Sequence, residues 1–124
     1  ETAIADGLPL AKADADALSS AIQNLIQNSV KYSNGSRWIR LAAENRGGVL
    51  KISVADRGIG VGGDDLRHIF EPFYRAKSVV DAQIRGNGLG LALVKEIAEA
   101  HGGKVTAKSD LGEGSEFTIE LPQA

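Results

Sequence analysis

Residues 16–33, DALSSAIQNLIQNSVKYS, predict a single amphipathic helix. Apolar residues recur along this stretch at the spacing of an α-helix, so one side of the helix can be buried against a core. These residues are Leu18, Ile22, Leu25 and Ile26. We expect the rest of the chain to be arranged against this helix.

The opposite side of the helix carries an unusual set of polar groups. At about 100° per residue, Asn24, Asn28 and Lys31 fall within one narrow strip, and Tyr32 lies beside Asn28 one turn on. Asparagine is a mediocre helix former, so a merely solvated face would more naturally carry Glu and Lys pairs. Neutral oxygens and an ammonium suit a ligand made of Mg²⁺ and polyphosphate. Asparagine as simple helix filler is the alternative.

Length and composition limit the possible functions. With 124 residues, 43% of them hydrophobic and 24% charged, the chain is expected to form one soluble globular domain. A net charge of -2 without a basic cluster argues against nucleic acid as a partner. The absence of cysteine excludes disulfides and thiolate metal sites, and two separated histidines argue against zinc. Any metal should therefore be a hard, oxygen-bound cation.

The chain begins at Glu1 and contains no methionine, which predicts a domain taken from a longer protein. No apolar run reaches the roughly 18 residues of a membrane span, so we expect no direct membrane contact from this domain. We also expect the isolated domain to be monomeric.

A carboxylate follows a predicted buried strand. Residues 49–55 alternate as a strand whose apolar row is Leu50, Ile52 and Val54, and parity places Asp56 next in that row. A buried carboxylate without partners costs on the order of several kcal/mol, so Asp56 should accept hydrogen bonds. The alternative is that Asp56 only caps the glycine turn that follows it.

Two glycine-rich stretches follow, one over residues 58–63 and one over residues 86–90. The second leads into a helix predicted over residues 89–101, with Leu93, Val94 and Ile97 facing inward and Gly102-Gly103 ending it. A glycine loop that opens a helix directs backbone N–H groups and the positive end of the helix dipole at an anion. This stretch therefore predicts a phosphate site, although its context fits neither a dinucleotide fold nor a P-loop.

The remaining segments complete the predicted fold. We expect strands over residues 8–13 and 37–44, a short helix over 64–70, a mobile lid over 76–85 and a closing hairpin of 104–109 with 116–121. In the lid, Val79 and Val80 are candidates for contact with a partner. The whole predicts an α/β two-layer sandwich, with a mixed, mostly antiparallel sheet of about five strands and three helices on one face.

Four short motifs occur in order along nearly the whole chain. Residues 24–33 read NLIQNSVKYS, 56–60 read DRGIG, 70–75 read FEPFYR and 86–91 read GNGLGL. In this order they resemble the N box, first glycine box, F box and second glycine box of the ATP-binding catalytic domain of sensor histidine kinases. That domain belongs to the wider gyrase, Hsp90 and MutL ATPase superfamily, so the resemblance implies its Bergerat-type ATP-binding fold.

The resemblance implies a protein-histidine kinase domain that binds ATP with Mg²⁺ and transfers the γ-phosphoryl group to a histidine. That histidine would lie on an upstream dimerisation bundle of the same parent protein. A response regulator would act downstream in the two-component pathway. The domain would lie in the cytoplasm, and the parent protein that contains it can be anchored in the inner membrane.

The resemblance also implies roles for single residues. Asp56 would accept a hydrogen bond from the adenine amino group, and Asn28 would bind Mg²⁺. Lys31 and Arg75 would contact phosphate and, with Asn28, form the catalytic set; Lys77 and Arg85 are weaker candidates for the γ-phosphate. The implied nucleotide-binding set is Asn24, Asn28, Lys31, Tyr32, Asp56, Gly58, Ile59, Gly60, Arg75, Gly86, Asn87, Gly88, Leu89, Gly90 and Leu91. The aromatic residues Phe70 and Phe73 would dock the base of the lid or belong to the core.

Some residues depart from the family pattern. Ser29 stands where the family more often has Ala, and Asn24 stands where hydrolysing members of the superfamily place Glu. The latter argues against a self-contained ATPase. Neither His68 nor His101 resembles the phosphorylated histidine. Two alternatives remain: a serine kinase of the anti-sigma-factor type, and a nucleotide-binding interaction module without transfer activity.

Overall fold

The computed structural model describes residues 2–4, 15–33, 38–81 and 88–122. Within these ranges the strands and helices are β1 Thr2–Ile4, α1 Ala15–Lys31, β2 Ile39–Arg46, β3 Val49–Asp56, α2 Gly63–Leu66, α3 Lys77–Asp81, α4 Gly90–Ala100, β4 Lys104–Asp110 and β5 Gly114–Pro122. The strands form one sheet in the order β1-β2-β3-β5-β4. Strands β2 to β5 pair antiparallel, and β1 joins β2 in parallel. The predicted mixed α/β fold is confirmed.

The sheet has one apolar face and one polar face. Leu50, Ile52 and Val54 of β3 are buried on the apolar face, where α1 and α4 pack. On the polar face, Glu120 accepts from the ammonium groups of Lys51 at 3.1 Å and Lys104 at 3.4 Å. These cross-strand ion pairs remain partly solvated.

The core lies between the sheet and the two long helices. Its centre is formed by residues without solvent exposure, among them Leu25 of α1, Val54 of β3 and Val94 of α4. The prediction that Leu93 faces inward was wrong, because its side chain is 41% exposed. The inward stripe of α4 is centred on Val94 and Ala98, and Leu93 lies about 100° round the helix from Val94.

Helix α4 ends where the paired glycines predict. Gly102 has φ of 77°, and its N–H donates to the Glu99 carbonyl at 3.0 Å. The N–H of Gly103 donates to the Ala98 carbonyl at 2.9 Å. This is the Schellman pattern, in which a left-handed residue allows the last carbonyls of a helix to be paired.

Several boundaries differ from the predictions. The strand predicted over residues 8–13 lies outside the described residues, and the described edge strand is β1. The predicted helix over 64–70 is shorter, because only Gly63–Leu66 is helical and turns follow it. A fourth helix, α3, occupies part of the predicted lid. No helix within the described ranges has both the length and the apolar character needed to cross a membrane.

Candidate functional site

A cavity of about 210 Å³ opens between α1, the start of α4, the glycine turn after β3 and the segment before α3. It brings together most of the predicted nucleotide-binding residues, namely Asn24, Asn28, Lys31, Tyr32, Ile59, Gly60, Arg75, Gly88, Gly90 and Leu91. Of the other predicted site residues, Asp56, Gly58 and Leu89 do not line the cavity. Gly86, Asn87 and Arg85 lie outside the described residues.

The first turn of α4 lies against the two asparagines of α1. A Cβ atom on Gly90 would be 3.4 Å from Oδ1 of Asn24 and 3.8 Å from the Nδ2 and Oδ1 atoms of Asn28. The Asn24 amide is oriented by donation from Nδ2 to the Ser20 carbonyl at 3.0 Å. The N-cap residue Leu89 offers no side-chain cap. The start of a helix and two amides thus meet in one wall of the cavity, an arrangement suited to an anion and its cation.

Asp56 is buried at the end of β3, as the strand parity predicts, with 6% of its surface exposed. Its Oδ1 accepts from the N–H of Gly58 at 2.9 Å and from the N–H of Ser115 at 3.3 Å. Asp56 is therefore buried, accepts hydrogen bonds and also caps the glycine turn. It lies directly behind the cavity wall, since Ile59 and Ser115 line the cavity beside it.

The ionisation of Asp56 reflects competing effects. Burial raises the pKa of its carboxyl above the ordinary value, and the donors Gly58, Ser29 and Ser115 act in the opposite direction. The Ser29 side chain has no exposed surface. Its hydroxyl lies near enough to Asp56 to favour the carboxylate, yet its Oγ has no partner at full hydrogen-bond geometry among the described residues. A buried carboxylate beside an under-satisfied hydroxyl is suited to the polar edge of a ligand.

The end of α1 is fixed to the first glycine turn. The N–H of Ile59 donates to the Tyr32 carbonyl at 3.0 Å. A Cβ atom on Gly58 would lie 2.0 Å from that carbonyl oxygen, so only glycine fits there. Lys31 lies with its ammonium 5.9 Å from the centre of the Tyr32 ring. Burial raises the pKa of the Tyr32 phenol, and the positive charge of Arg75 acts in the opposite direction. Arg75 therefore lies near enough to Tyr32 to affect its ionisation.

The same glycine turn is also held by the β4–β5 hairpin. The N–H of Gly112 donates to the Ile59 carbonyl at 2.9 Å, and the N–H of Val61 donates to the Ser109 hydroxyl at 2.7 Å. Gly60 has φ of 69°, and a Cβ atom there would lie 2.0 Å from the Asp110 carbonyl oxygen. The turn is therefore held by hydrogen bonds and close backbone contacts on both sides.

The two aromatic residues of the FEPFYR motif have different roles. The Phe70 ring packs edge-on against Phe117, with 6.4 Å between ring centres, and so belongs to the core. Phe73 is 71% exposed and is therefore not part of the core. Its backbone has φ of 67°. The N–H of Phe73 donates to the Gly88 carbonyl at 3.1 Å. The motif thus joins the second glycine stretch through its backbone.

The interpretation of residues 76–85 as a mobile lid needs correction over its first half. Lys77–Asp81 forms helix α3, and Ala76 and Val79 are buried, with 4% and 7% of their surfaces exposed. Val79 lines the cavity, whereas Val80 is 50% exposed. The sequence lacks helical periodicity here because a helix of five residues shows too few turns to reveal one.

Sequence reasoning missed several residues that line the cavity: Gln27, Val61, Ile69, Tyr74, Ala76, Val79, Ser115 and Phe117. Ser115 reaches the cavity because it is the register partner of Asp56 across β3 and β5, and this pairing has no local signal in the sequence. Gln27 lies three residues after Asn24, on the same side of α1. For the apolar residues in this list, the sequence pattern does not distinguish a side chain that faces a ligand from one that lies in the core.

Comparisons with known proteins agree with this geometry. Residues 13–124 match the family described as "Histidine kinase-, DNA gyrase B-, and HSP90-like ATPase". The sensor-like histidine kinase SenX3 of Mycolicibacterium smegmatis is 39% identical over 110 residues, which cover 89% of this chain and 29% of SenX3. The sensor histidine kinase ZraS of Escherichia coli K12 is 39% identical over 117 residues, which cover 94% of this chain and 24% of ZraS. The chain thus spans less than a third of the length of these relatives.

Solved structures show the same fold. The crystal structure of full-length ShkA in complex with AMPPNP matches with a TM-score of 0.85 and 36% identity, over 99% of this chain and 25% of that chain. The mycobacterial sensor histidine kinase MprB matches with a TM-score of 0.81 and 26% identity, over 99% of this chain and 82% of that chain. The chain therefore belongs to the histidine kinase-, DNA gyrase B- and HSP90-like ATPase family, and it is an ATP-binding catalytic domain of the sensor histidine kinase type.

Proposed function

We propose that this domain binds Mg·ATP in the cavity between α1 and α4 and transfers the γ-phosphoryl group to a histidine on a separate dimerisation bundle. The observation that carries this proposal is the position of Gly90, whose Cβ would lie within 4 Å of the amides of Asn24 and Asn28. Phosphate at the start of α4 and a cation on the amide oxygens would then be neighbours, as a metal–polyphosphate ligand requires.

The adenine base would be recognised at Asp56. Both backbone donors to this carboxylate, Gly58 and Ser115, use Oδ1. Oδ2 is therefore the better oxygen to accept from the adenine amino group, and the Ser29 hydroxyl near this carboxylate is a second polar group. Val61, Ile69 and Phe117 supply the apolar wall that a planar base needs.

The phosphates would be held by charge and by the start of α4. Asn28, with Asn24 beside it, would supply amide oxygens to Mg²⁺, which supplies charge neutralisation to the phosphate oxygens when bound. Lys31 and Arg75 line the same cavity and would compensate the remaining negative charge. Tyr32 would close the side of the site next to Lys31.

The proposed acceptor is a histidine of another domain. Phosphoryl transfer depends mainly on the position of the nucleophile, so the acceptor must enter the cavity from outside. The two histidines of this chain are engaged elsewhere: His68 Nδ1 lies 2.5 Å from a Glu71 carboxylate oxygen, and His101 Nδ1 donates to the Ile97 carbonyl at 2.7 Å. Neither lines the cavity.

The similarity to sensor histidine kinases also supports a proposal about the parent protein and its partners. The much longer relatives favour a parent protein that contributes the histidine-bearing bundle, with a response regulator as the next acceptor. We place the domain in the cytoplasm, where ATP is available, with a parent that can be anchored in the inner membrane. Nucleic acid and the membrane itself are not among the proposed partners.

The experiment that tests this proposal is phosphotransfer in trans. The domain is mixed with γ-labelled ATP and the bundle of its parent protein, and a bundle with its histidine replaced by alanine is the control. Acid-labile label on the intact bundle alone is the expected result. Acid-stable label on a serine substrate would favour a serine kinase, and nucleotide binding without any transfer would favour an interaction module.

A further inference from the structure

One carboxylate outside the cavity holds the segment that carries Arg75. The Tyr74 hydroxyl donates to Oδ1 of Asp65, and the N–H of Lys77 donates to Oδ2 of the same side chain at 2.9 Å. Asp65 lies in α2 and does not line the cavity. Its two oxygens therefore bind two points of a neighbouring segment without reaching the ligand site.

These two anchors flank Arg75. Tyr74 directly precedes Arg75, and Lys77 follows it by two residues, with the buried Ala76 between them. The Ser78 hydroxyl adds a third attachment by donating to the Gly60 carbonyl at 2.7 Å. With its flanking residues held in this way, the backbone of Arg75 has little freedom, and its side chain lines the cavity.

We propose that Asp65 is a positioning residue that acts through Arg75, by holding residues 74–77 so that the guanidinium is presented to the terminal phosphate of the nucleotide. This inference rests on the proposed function. Without the carboxylate, Tyr74 and Lys77 would lose their common anchor and the arginine would sample positions turned away from the cavity, which weakens a contact that depends on position.

The electrostatics of Asp65 agree with this role. Donation from the Tyr74 hydroxyl and then from the Lys77 N–H lowers the pKa of its carboxyl, so the ionised form that accepts both hydrogen bonds is favoured. The neighbouring Asp64 offers a contrast on the same short helix. Its side chain is fully exposed and forms only a loose ion pair with Arg67 at 3.8 Å.

The test compares a nucleotide that carries a γ-phosphate group with one that lacks it. AMPPNP and ADP are titrated by calorimetry, with Mg²⁺, into the wild-type domain, Asp65→Ala, Tyr74→Phe, Arg75→Ala and the double variant Asp65→Ala/Arg75→Ala. Asp64→Ala is the control. We expect Asp65→Ala to weaken AMPPNP roughly tenfold while ADP changes little, because one charge-assisted contact is affected. Asp64→Ala should change neither.

The double variant decides whether Asp65 acts through Arg75. If it does, Asp65→Ala/Arg75→Ala should bind AMPPNP no more weakly than Arg75→Ala alone. Additive losses, equal losses for AMPPNP and ADP, or an Asp65→Ala variant with wild-type AMPPNP affinity would each overturn the inference. If Asp65→Ala fails to fold, Tyr74→Phe serves the same comparison, since it removes only the hydroxyl donor.

The same titrations separate this inference from the proposed function. A wild-type domain that binds neither nucleotide would overturn both. Normal binding by the wild type, combined with an unchanged ratio of AMPPNP to ADP affinity in Asp65→Ala and Tyr74→Phe, would overturn only the role of Asp65.

Discussion

The backbone N–H of Ser115 donates to Oδ1 of Asp56 at 3.3 Å, although 59 residues separate the two. The two residues are register partners at the ends of β5 and β3. Because the Gly58 N–H donates to the same oxygen, two backbone groups orient the carboxylate. Asp56 is thus a preorganised acceptor, fixed before a ligand binds.

Replacing Asp56 with asparagine should weaken adenine nucleotides selectively. The amide oxygen of Asp56→Asn can still accept from Gly58 and Ser115, which directs Nδ2 as a donor toward the adenine amino group. An unmet hydrogen bond at a buried site costs about 1–3 kcal/mol, or roughly ten- to hundredfold in affinity. The measurement is ATP against GTP affinity in both proteins, with the exposed Asp110→Asn as control. Equal losses for the two bases would contradict the role of Asp56.

The same substitution should change the dependence of stability on pH. Burial raises the pKa of Asp56, so the folded state binds its proton more tightly than the unfolded state does. The stability contributed by this group is therefore greatest below its unfolded pKa of about 3.9 and is lost as pH rises through the folded pKa. Asp56→Asn cannot ionise, so its free energy of unfolding relative to wild type should rise between pH 4 and pH 7.

Urea unfolding of both proteins at pH 4 and pH 7 measures this difference. The quantity compared is the free energy of unfolding of Asp56→Asn minus that of wild type. A value that is the same at both pH values, or one that falls from pH 4 to pH 7, would count against the burial argument.

Gly58 should not tolerate a side chain. Its Cβ would lie 2.0 Å from the Tyr32 carbonyl oxygen, so Gly58→Ala must separate α1 from the glycine turn. We expect a loss of about 1–3 kcal/mol in the free energy of unfolding, together with weaker nucleotide binding. Gly63→Ala is the matched control, because no atom lies within 4 Å of its Cβ position. A Gly58→Ala domain as stable as Gly63→Ala would show that this contact is not required.

The elements that sequence reasoning found are those with a local period. The stripe of α1 and the alternation of β3 predicted the shared face of Asn24 and Asn28 and the burial of Asp56, because each depends on neighbours within a few residues. The contact of Asp65 with Tyr74 and Lys77 joins the short helix α2 to the residues before and at the start of α3. These helices have too few residues to show a period, so no sequence pattern predicts the contact. Likewise, periodicity could not decide whether Leu93 or Ala98 lies at the centre of the α4 stripe, since that depends on what α4 packs against.

Asn28→Ala should reduce the magnesium-dependent part of nucleotide affinity. The amide of Asn28 lies beside the start of α4 and offers a neutral oxygen to a hard cation. Calorimetric titrations of ATP, with Mg²⁺ and with EDTA, should show a large loss of ATP affinity in Asn28→Ala only when the metal is present. Gln23→Ala, an exposed position on the same helix outside the cavity, is the control. Unchanged affinity for Mg·ATP in Asn28→Ala would show that α1 does not contribute the metal ligand.

The isolated domain should bind ATP yet hydrolyse it very slowly. Water attacks a phosphoryl group efficiently only when a base orients it. Among the described residues that line the cavity, none is a carboxylate or a histidine. The resemblance implies that hydrolysing members of the superfamily place Glu at the position of Asn24, and the Asn24 amide cannot accept a proton at neutral pH.

Changing this one position tests the argument. Asn24→Glu would place a proton acceptor beside the start of α4 and should raise steady ATP hydrolysis above the wild-type rate. Asn24→Gln, which matches the size of glutamate without its basicity, should not. A coupled assay of phosphate release from the domain alone measures both variants against wild type. Brisk hydrolysis by the wild-type domain would show that another group activates water, and equal rates for Asn24→Glu and Asn24→Gln would show that proton acceptance at residue 24 does not limit turnover.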